Sequence, residues 1–116
     1  MDEEKLMAMI ADFVRRSDVR QTAAQIRQTM TQCPTLVLED GFLVLGIYQD
    51  ECSVLYMYIR PGAKLLPLFE FVTEDVARYH KCRTIRFISR RTPRAIARTR
   101  PAYRPCATVY ERELAY

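Results

Sequence analysis

The run with the most chemical promise is Arg60-Pro61-Gly62-Ala63-Lys64, which separates a strand-like stretch, CSVLYMYI, from a helix-like one, LLPLFEFVTEDVARYHKC. A glycine-bearing turn that opens a helix can bring backbone N–H groups, and the positive end of the helix dipole, against a phosphate. Lys64 adds a point charge beside it. This corner is where a cofactor phosphate is expected to sit, if the chain takes one. The remaining reactive residues promise less. Cys33, Cys52, Cys82 and Cys106 are far apart and form no C-x-x-C, and His80 is the single histidine, so no metal site is expected. Outside an oxidising compartment the thiols are expected to be buried and unpaired. His80 falls at the end of a helix, where positive charge suits the carbonyl terminus, and reads as a surface residue.

Charge is the second signal. The net charge of +4 is unevenly spread: residues 81–116 hold ten of the eighteen Lys and Arg but only Glu111 and Glu113 on the acidic side. Such a basic third either solvates strand ends and a short helix or meets an anionic partner. No apolar run approaches the ~20 residues that span a bilayer. The first residues, MDEEKLMAMIADFVRR, open acidic and are interrupted by Asp12, unlike a signal peptide. A soluble, cytoplasmic protein of one domain, residues 1–116, is the expectation.

The elements that must position these residues follow from periodicity. Leu6, Met9, Ile10, Phe13 and Val14 make one stripe of a helix over Glu3–Arg16, with acidic residues at its start and Arg15 and Arg16 at its end. Asp18 and Gln21 suggest a capping box for a second helix reaching about Gln32, striped by Val19, Ala23, Ile26 and Met30. The period then becomes two. Thr35–Glu39 and Phe42–Tyr48 read as strands about an Asp40-Gly41 turn, followed by a strand over Cys52–Ile59. In that strand Leu55, Met57 and Ile59 share one face and Val54, Tyr56 and Tyr58 the other, both bulky, as in a central strand covered on each side. A helix follows with Leu65, Leu68, Phe69, Val72, Val76 and Tyr79 inward and Glu70, Glu74, Asp75 and Arg78 toward water. Thr84–Ile88 is a strand, Thr92-Pro93 starts a short helix over Arg94–Thr99, and Ala107–Leu114 is a final strand.

The order is two N-terminal helices, three antiparallel strands, a crossover helix, a further strand, a short helix and a final strand: an α/β fold with a mixed sheet. Carried by the LVLEDGFLVLGIY hairpin, the Tyr56–Ile59 strand and the Leu65–His80 helix, it resembles the GNAT superfamily of N-acetyltransferases over nearly the whole chain. The family's first strand has no counterpart in residues 1–2. In size the chain also resembles small acetyltransferase-like proteins encoded by bacteriophages.

The resemblance implies acetyl-CoA as cofactor if the protein is active, and sets requirements on particular residues. The family's diphosphate cradle runs Arg or Gln, two residues, Gly, one residue, then Gly or Ala; here Gly62, Ala63 and Lys64 fill a shorter gap, and Pro61 and Pro67 lack N–H groups. The pantetheine arm pairs with a strand edge, which places Tyr58 and Ile59 along it. The family's acid is a tyrosine in the pattern N-x-x-A-x-x-x-Y. Aligning Ala95 puts Thr99 there, with Tyr103 four residues on as the candidate substitute, and no Asp or Glu lies in the second half of the Cys52–Ile59 strand.

The leading expectation is a degenerate, non-catalytic interaction protein with no cofactor. It would engage a protein partner or an assembly such as a virion through Arg90, Arg91, Arg94, Arg98, Arg100 and Arg104. The alternatives are an active acetyl-CoA-dependent N-acetyltransferase served by Lys64, Arg94 and Arg98, and nucleic-acid binding through the same arginines. The last lacks an aromatic stacking platform.

Overall fold

The computed structural model describes residues 2–17, 19–88, 104–106 and 109–114. In chain order the elements are α1 (Glu3–Arg16), α2 (Ala23–Met30), β1 (Thr35–Leu38), β2 (Gly41–Tyr48), β3 (Glu51–Ile59), α3 (Leu66–Tyr79), β4 (Thr84–Ile88), β5 (Arg104–Cys106) and β6 (Val109–Glu113). The strands form one mixed sheet in the order β1-β2-β3-β4-β6-β5. β3 and β4 run parallel, as a crossover through α3 requires, and the other neighbours are antiparallel. This is the expected α/β architecture.

α1 has the bounds its apolar period predicts. The Asp2 carboxylate accepts the Glu4 N–H at 3.1 Å, and Leu6, Met9, Ile10 and Phe13 are buried. α2 starts later than expected. Its capping box is Thr22 with Gln25, not Asp18 with Gln21: the Thr22 hydroxyl accepts the Gln25 N–H at 3.2 Å, and the Gln25 amide oxygen accepts the Thr22 N–H at 2.8 Å. Both positions carry cap chemistry, and the later one leaves Val19 outside the helix to pack on the α1–α2 core. The helix ends at Met30, short of Gln32. Arg27 grips Glu3 with two hydrogen bonds, 2.8 and 3.0 Å, tying the helices together and holding that carboxyl below its ordinary range.

Two cores lie on opposite faces of the sheet. One joins α1 and α2 to Phe42, Val44, Tyr56 and Tyr58; the other joins α3 to Leu43, Leu45, Cys52 and Ile85. Alternation along β2 therefore feeds both, as expected for a covered strand. The β1–β2 turn is Glu39-Asp40, one residue earlier than expected, with Leu38 paired to Gly41. Gly41 is needed for space rather than for a turn. A Cβ there would stand 2.3 Å from the Tyr58 carbonyl oxygen.

Other expectations need correction. On α3, Leu68 and Tyr79 are exposed, and the buried face is Phe69, Thr73 and Ala77 with Val72 and Val76 at its margin. Thr73 was hidden from an apolar count, but its hydroxyl donates to the Phe69 carbonyl at 2.7 Å and so tolerates burial. Glu74 does not simply face water: it takes Arg78 at 3.0 Å and Arg112 of β6 at 2.9 Å, and the two guanidiniums hold its carboxyl below the usual range. β5 was not expected, because Pro105 argues against a strand; as an edge strand it needs no donor on its outer side. Cys33, Cys52 and Cys82 are thiols rather than disulfides, the last two buried. The expected helix over 94–99 lies outside the described residues. Among the described residues no helix is long and apolar enough to cross a membrane.

Candidate functional site

The site is built on the place where β3 and β4 part. Their parallel pairing covers Glu51 with Thr84, Cys52 with Ile85 and Ser53 with Arg86, and stops there, although β3 continues to Ile59. At the same point β3 is bulged against β2. Val44 pairs with Tyr56 and Leu45 with Val54, so Leu55 has no partner. An extra residue bends a strand and strengthens its twist, which swings the second half of β3 away from β4. Leu55 is 42% exposed and lies over Gly46, where a Cβ would come within 3.1 Å of it.

The bulge also corrects the expected facing of β3. Val54 belongs with Met57 and Ile59 on the α3 side, while Tyr56 and Tyr58 pack on α1 and α2. A period of two carried through the strand puts Val54 on the wrong face. Beyond Ser53, one edge of β3 stays bonded to β2, and the other pairs with no strand among the described residues. That edge is a strand-shaped slot for an extended ligand.

Tyr58 and Ile59, expected along this slot, are at its far end. The Tyr58 side chain is committed elsewhere: its ring stacks on Phe42 with centroids 5.6 Å apart, and its hydroxyl donates to Asp12 Oδ2 at 2.6 Å. Burial first, and then the Asp12 carboxylate, push the Tyr58 phenol above its ordinary range. Asp12 is lowered, chiefly by that hydrogen bond and further by Arg15 and Arg16. The Tyr58 carbonyl is turned to β2, against Gly41, rather than to the unpaired edge. The Asp12–Tyr58 lock was missed from sequence. Asp12 with Arg15 and Arg16 follows helical spacing, but nothing local points to Tyr58.

The corner after β3 is tight. Arg60 donates its N–H to the Asp40 carbonyl at 2.7 Å, and its guanidinium meets the Asp40 carboxylate at 3.1 Å. Pro61 and Gly62 then form a type II turn: Gly62 has φ +89°, and the Ala63 N–H donates to the Arg60 carbonyl at 2.9 Å. Leu65 caps α3 without a side-chain hydrogen bond, and the first helical bond is Phe69 N–H to the Leu65 carbonyl, 2.9 Å. The amides of Leu66 and Leu68 therefore precede the helical ladder, but Pro67 between them has none. Lys64 is exposed.

A diphosphate needs a run of successive amides aimed at one point. Here Pro61 and Pro67 lack the group and Ala63 has spent its own on the Arg60 carbonyl, which leaves Lys64, Leu65 and Leu66 as the only successive amides of the corner without a backbone partner among the described residues. A concavity of about 260 Å³ lies on the α1 side, lined by Lys5, Ala8, Met9, Glu39, Tyr58 and Arg60. It is smaller than the ~300–1,000 Å³ of ordinary ligand sites, and Lys5 and Glu39 pair across it at 4.0 Å. Tyr103, Arg90, Arg91, Arg94, Arg98 and Arg100 lie outside the described residues, and Arg104 begins β5. Among the described basic residues of that third, Arg86 pairs with Glu51 at 2.8 Å and Arg112 with Glu74. Among the described residues there is no group of His, Cys, Asp and Glu that could hold a metal.

No protein-family model matches this sequence, and no curated protein matches it either. Solved structures do. The ribosomal-protein-alanine N-acetyltransferase of Brucella melitensis superposes with a TM-score of 0.70 over 96% of this chain and 93% of its own, at 12% identity. The PaiA N-acetyltransferase of Thermoplasma acidophilum, solved in complex with coenzyme A, gives 0.64 over 96% and 92%, at 11% identity. A GNAT-family acetyltransferase of Desulfovibrio desulfuricans gives 0.63 over 99% and 95%, at 12% identity. At such identities the likeness establishes the fold: this chain has the fold of the GNAT acetyltransferases.

Proposed function

We propose that this chain keeps the acetyltransferase fold but has lost acetyl-CoA catalysis, and serves as an interaction or structural component. The observation that carries this reading is the corner after β3, where Pro61 and Pro67 lack an N–H and the Pro61-Gly62 turn consumes the Ala63 amide, which shortens the run of donors for a diphosphate to Lys64, Leu65 and Leu66. Two features of the sequence support it: Thr99 stands where the family places its acid, and no carboxylate lies in Val54–Ile59. The partner is a protein or an assembly such as a phage particle, met in the host cytoplasm or the virion. Its contact surface is the arginine set Arg90, Arg91, Arg94, Arg98, Arg100 and Arg104. A thermal-shift series with acetyl-CoA tests the reading. A micromolar site filled at about 1,000 times its Kd adds ~4 kcal/mol, a rise of many degrees in Tm; no rise is expected.

One observation favours a second reading, an active N-acetyltransferase with a reduced phosphate loop. The β3–β4 pairing stops at Ser53 and Arg86, while β3 runs on to Ile59 with no further strand partner on that edge among the described residues. In that reading the acetyl group passes from the thioester to an amine, the thiol leaves protonated by Tyr103, and Gly62, Ala63 and Lys64 hold the phosphates. Thiol release with an amine substrate, suppressed by Tyr103→Phe, would establish it. No release across a panel of amines would remove it.

A further inference from the structure

The free edge of β3 and the corner at its end meet in one surface. The Tyr58 carbonyl is turned to β2, and the Arg60 N–H donates to the Asp40 carbonyl on the same side. Alternation along the strand then sets the N–H and C=O of Met57 and Ile59 on the opposite edge, which pairs with no strand among the described residues. An edge that offers donors and acceptors in turn is complemented by a second extended main chain.

The charge at the end of this edge indicates what kind of chain. Leu65 packs in the same apolar cluster as Met57 and Ile59, which sets the start of α3 beside the end of the slot. There the amides of Lys64, Leu65 and Leu66 have no backbone partner among the described residues, and the exposed Lys64 adds a positive charge. α3 runs for fourteen residues with its positive dipole end at this point. A short run of amides suits the oxygens of a single carboxylate. A side-chain carboxylate on an added strand points off the sheet, whereas a chain terminus lies in line with the strand.

We propose that the slot takes the C-terminal end of a partner polypeptide, added as a strand beside β3 with its terminal carboxylate at the amides of Lys64, Leu65 and Leu66. The strand runs parallel to β3, because only that direction brings a C-terminus to the corner. Its residue opposite Tyr58 donates an N–H to the Met57 carbonyl and accepts the Ile59 N–H. The inference rests on the reading above, in which the slot no longer serves acetyl-CoA, and names the part of the partner that the slot holds.

Two pools of short peptides, randomised in sequence and acetylated at the N-terminus, are offered to the immobilised full chain. One pool ends in a free carboxylate and the other is amidated. The best-retained free acid is then titrated beside its own amide. Amidation should weaken binding about tenfold or more. Lys64→Glu should weaken it about tenfold with an unchanged melting curve, because that side chain is exposed. Amide exchange at Met57 and Ile59 should slow in the complex, which attraction to Lys64 alone would not produce. Retention of neither pool, equal binding of acid and amide, or unaltered exchange at Met57 and Ile59 overturns the proposal. When acetyl-CoA also gives no thermal shift, those results leave the loss of the cofactor standing. Displacement of the bound peptide by about 1 mM acetyl-CoA would instead overturn that reading and the proposal with it; the peptide is expected to stay.

Discussion

Tyr58 and Asp12 join β3 to α1 through one hydrogen bond of 2.6 Å, and its consequences are titratable. The Asp12 carboxyl is lowered in the folded chain, first by Tyr58 and then by Arg15 and Arg16. Its stabilisation is therefore complete above its ordinary pKa of 3.8 and is lost as pH falls through the lower folded value. Tyr58→Phe removes the donor and should cost about 1 kcal/mol at neutral pH. It should also flatten the acid limb of a Tm-against-pH curve; an unaltered limb would mean that the arginines alone hold Asp12. Cys52 acts at the other end of the scale. Burial pushes its thiol from 9.0 up to about 12, with Cys82 adding to the shift. The thiol then stays protonated in the folded chain after it ionises in the unfolded one, so stability is complete below pH 9.0 and falls as pH rises toward 12. By pH 11 the loss from this group is roughly 3 kcal/mol. Denaturant unfolding between neutral pH and pH 11 should show that decline, and Cys52→Ala should reduce its slope.

Among the elements, the β2–β3 hairpin and the corner after it depend on two glycines for different reasons. Gly41 leaves room for the Tyr58 carbonyl, 2.3 Å from where a Cβ would stand, so Gly41→Ala must part the strands and should cost ~1–3 kcal/mol. Gly62 meets nothing within 4 Å but sits at φ +89°, so Gly62→Ala should cost ~1–2 kcal/mol through backbone strain alone. Equilibrium unfolding of both variants, followed by amide exchange, separates the cases: Gly41→Ala should loosen the β2–β3 pairing, whereas Gly62→Ala should loosen only the corner. How far these elements could be read from sequence follows the range of the forces involved. α1 was legible to the residue because its stripe and its cap are local. α2 offered two capping boxes, and only packing chose between them. The bulge was not legible, since a strand with one unpaired residue at Leu55 has the same local composition as one without. β5 was concealed by Pro105, which is excluded from a sheet interior but not from an edge.

At the scale of the whole molecule, the slot and the corner come from different parts of the fold. The slot is a property of topology, formed where a parallel strand pair ends at Ser53 and Arg86 while β3 runs on. It was legible once the element order was known. The corner is a property of a few amides in Arg60–Leu68, and its prolines were visible in the sequence, whereas the loss of the Ala63 N–H to the Arg60 carbonyl was not. The arginines of residues 90–104 were legible as a charge excess, but a charge count carries no geometry. On the proposed function the fold works through its surfaces rather than through acetyl-CoA in its slot. The measurement that bears on this most directly is calorimetric titration of the full chain with acetyl-CoA. No saturable heat is predicted up to about 1 mM, where ΔG for binding would be only about −4 kcal/mol; a saturable isotherm with micromolar Kd, abolished by replacing the residues of the Arg60–Lys64 corner, would contradict it.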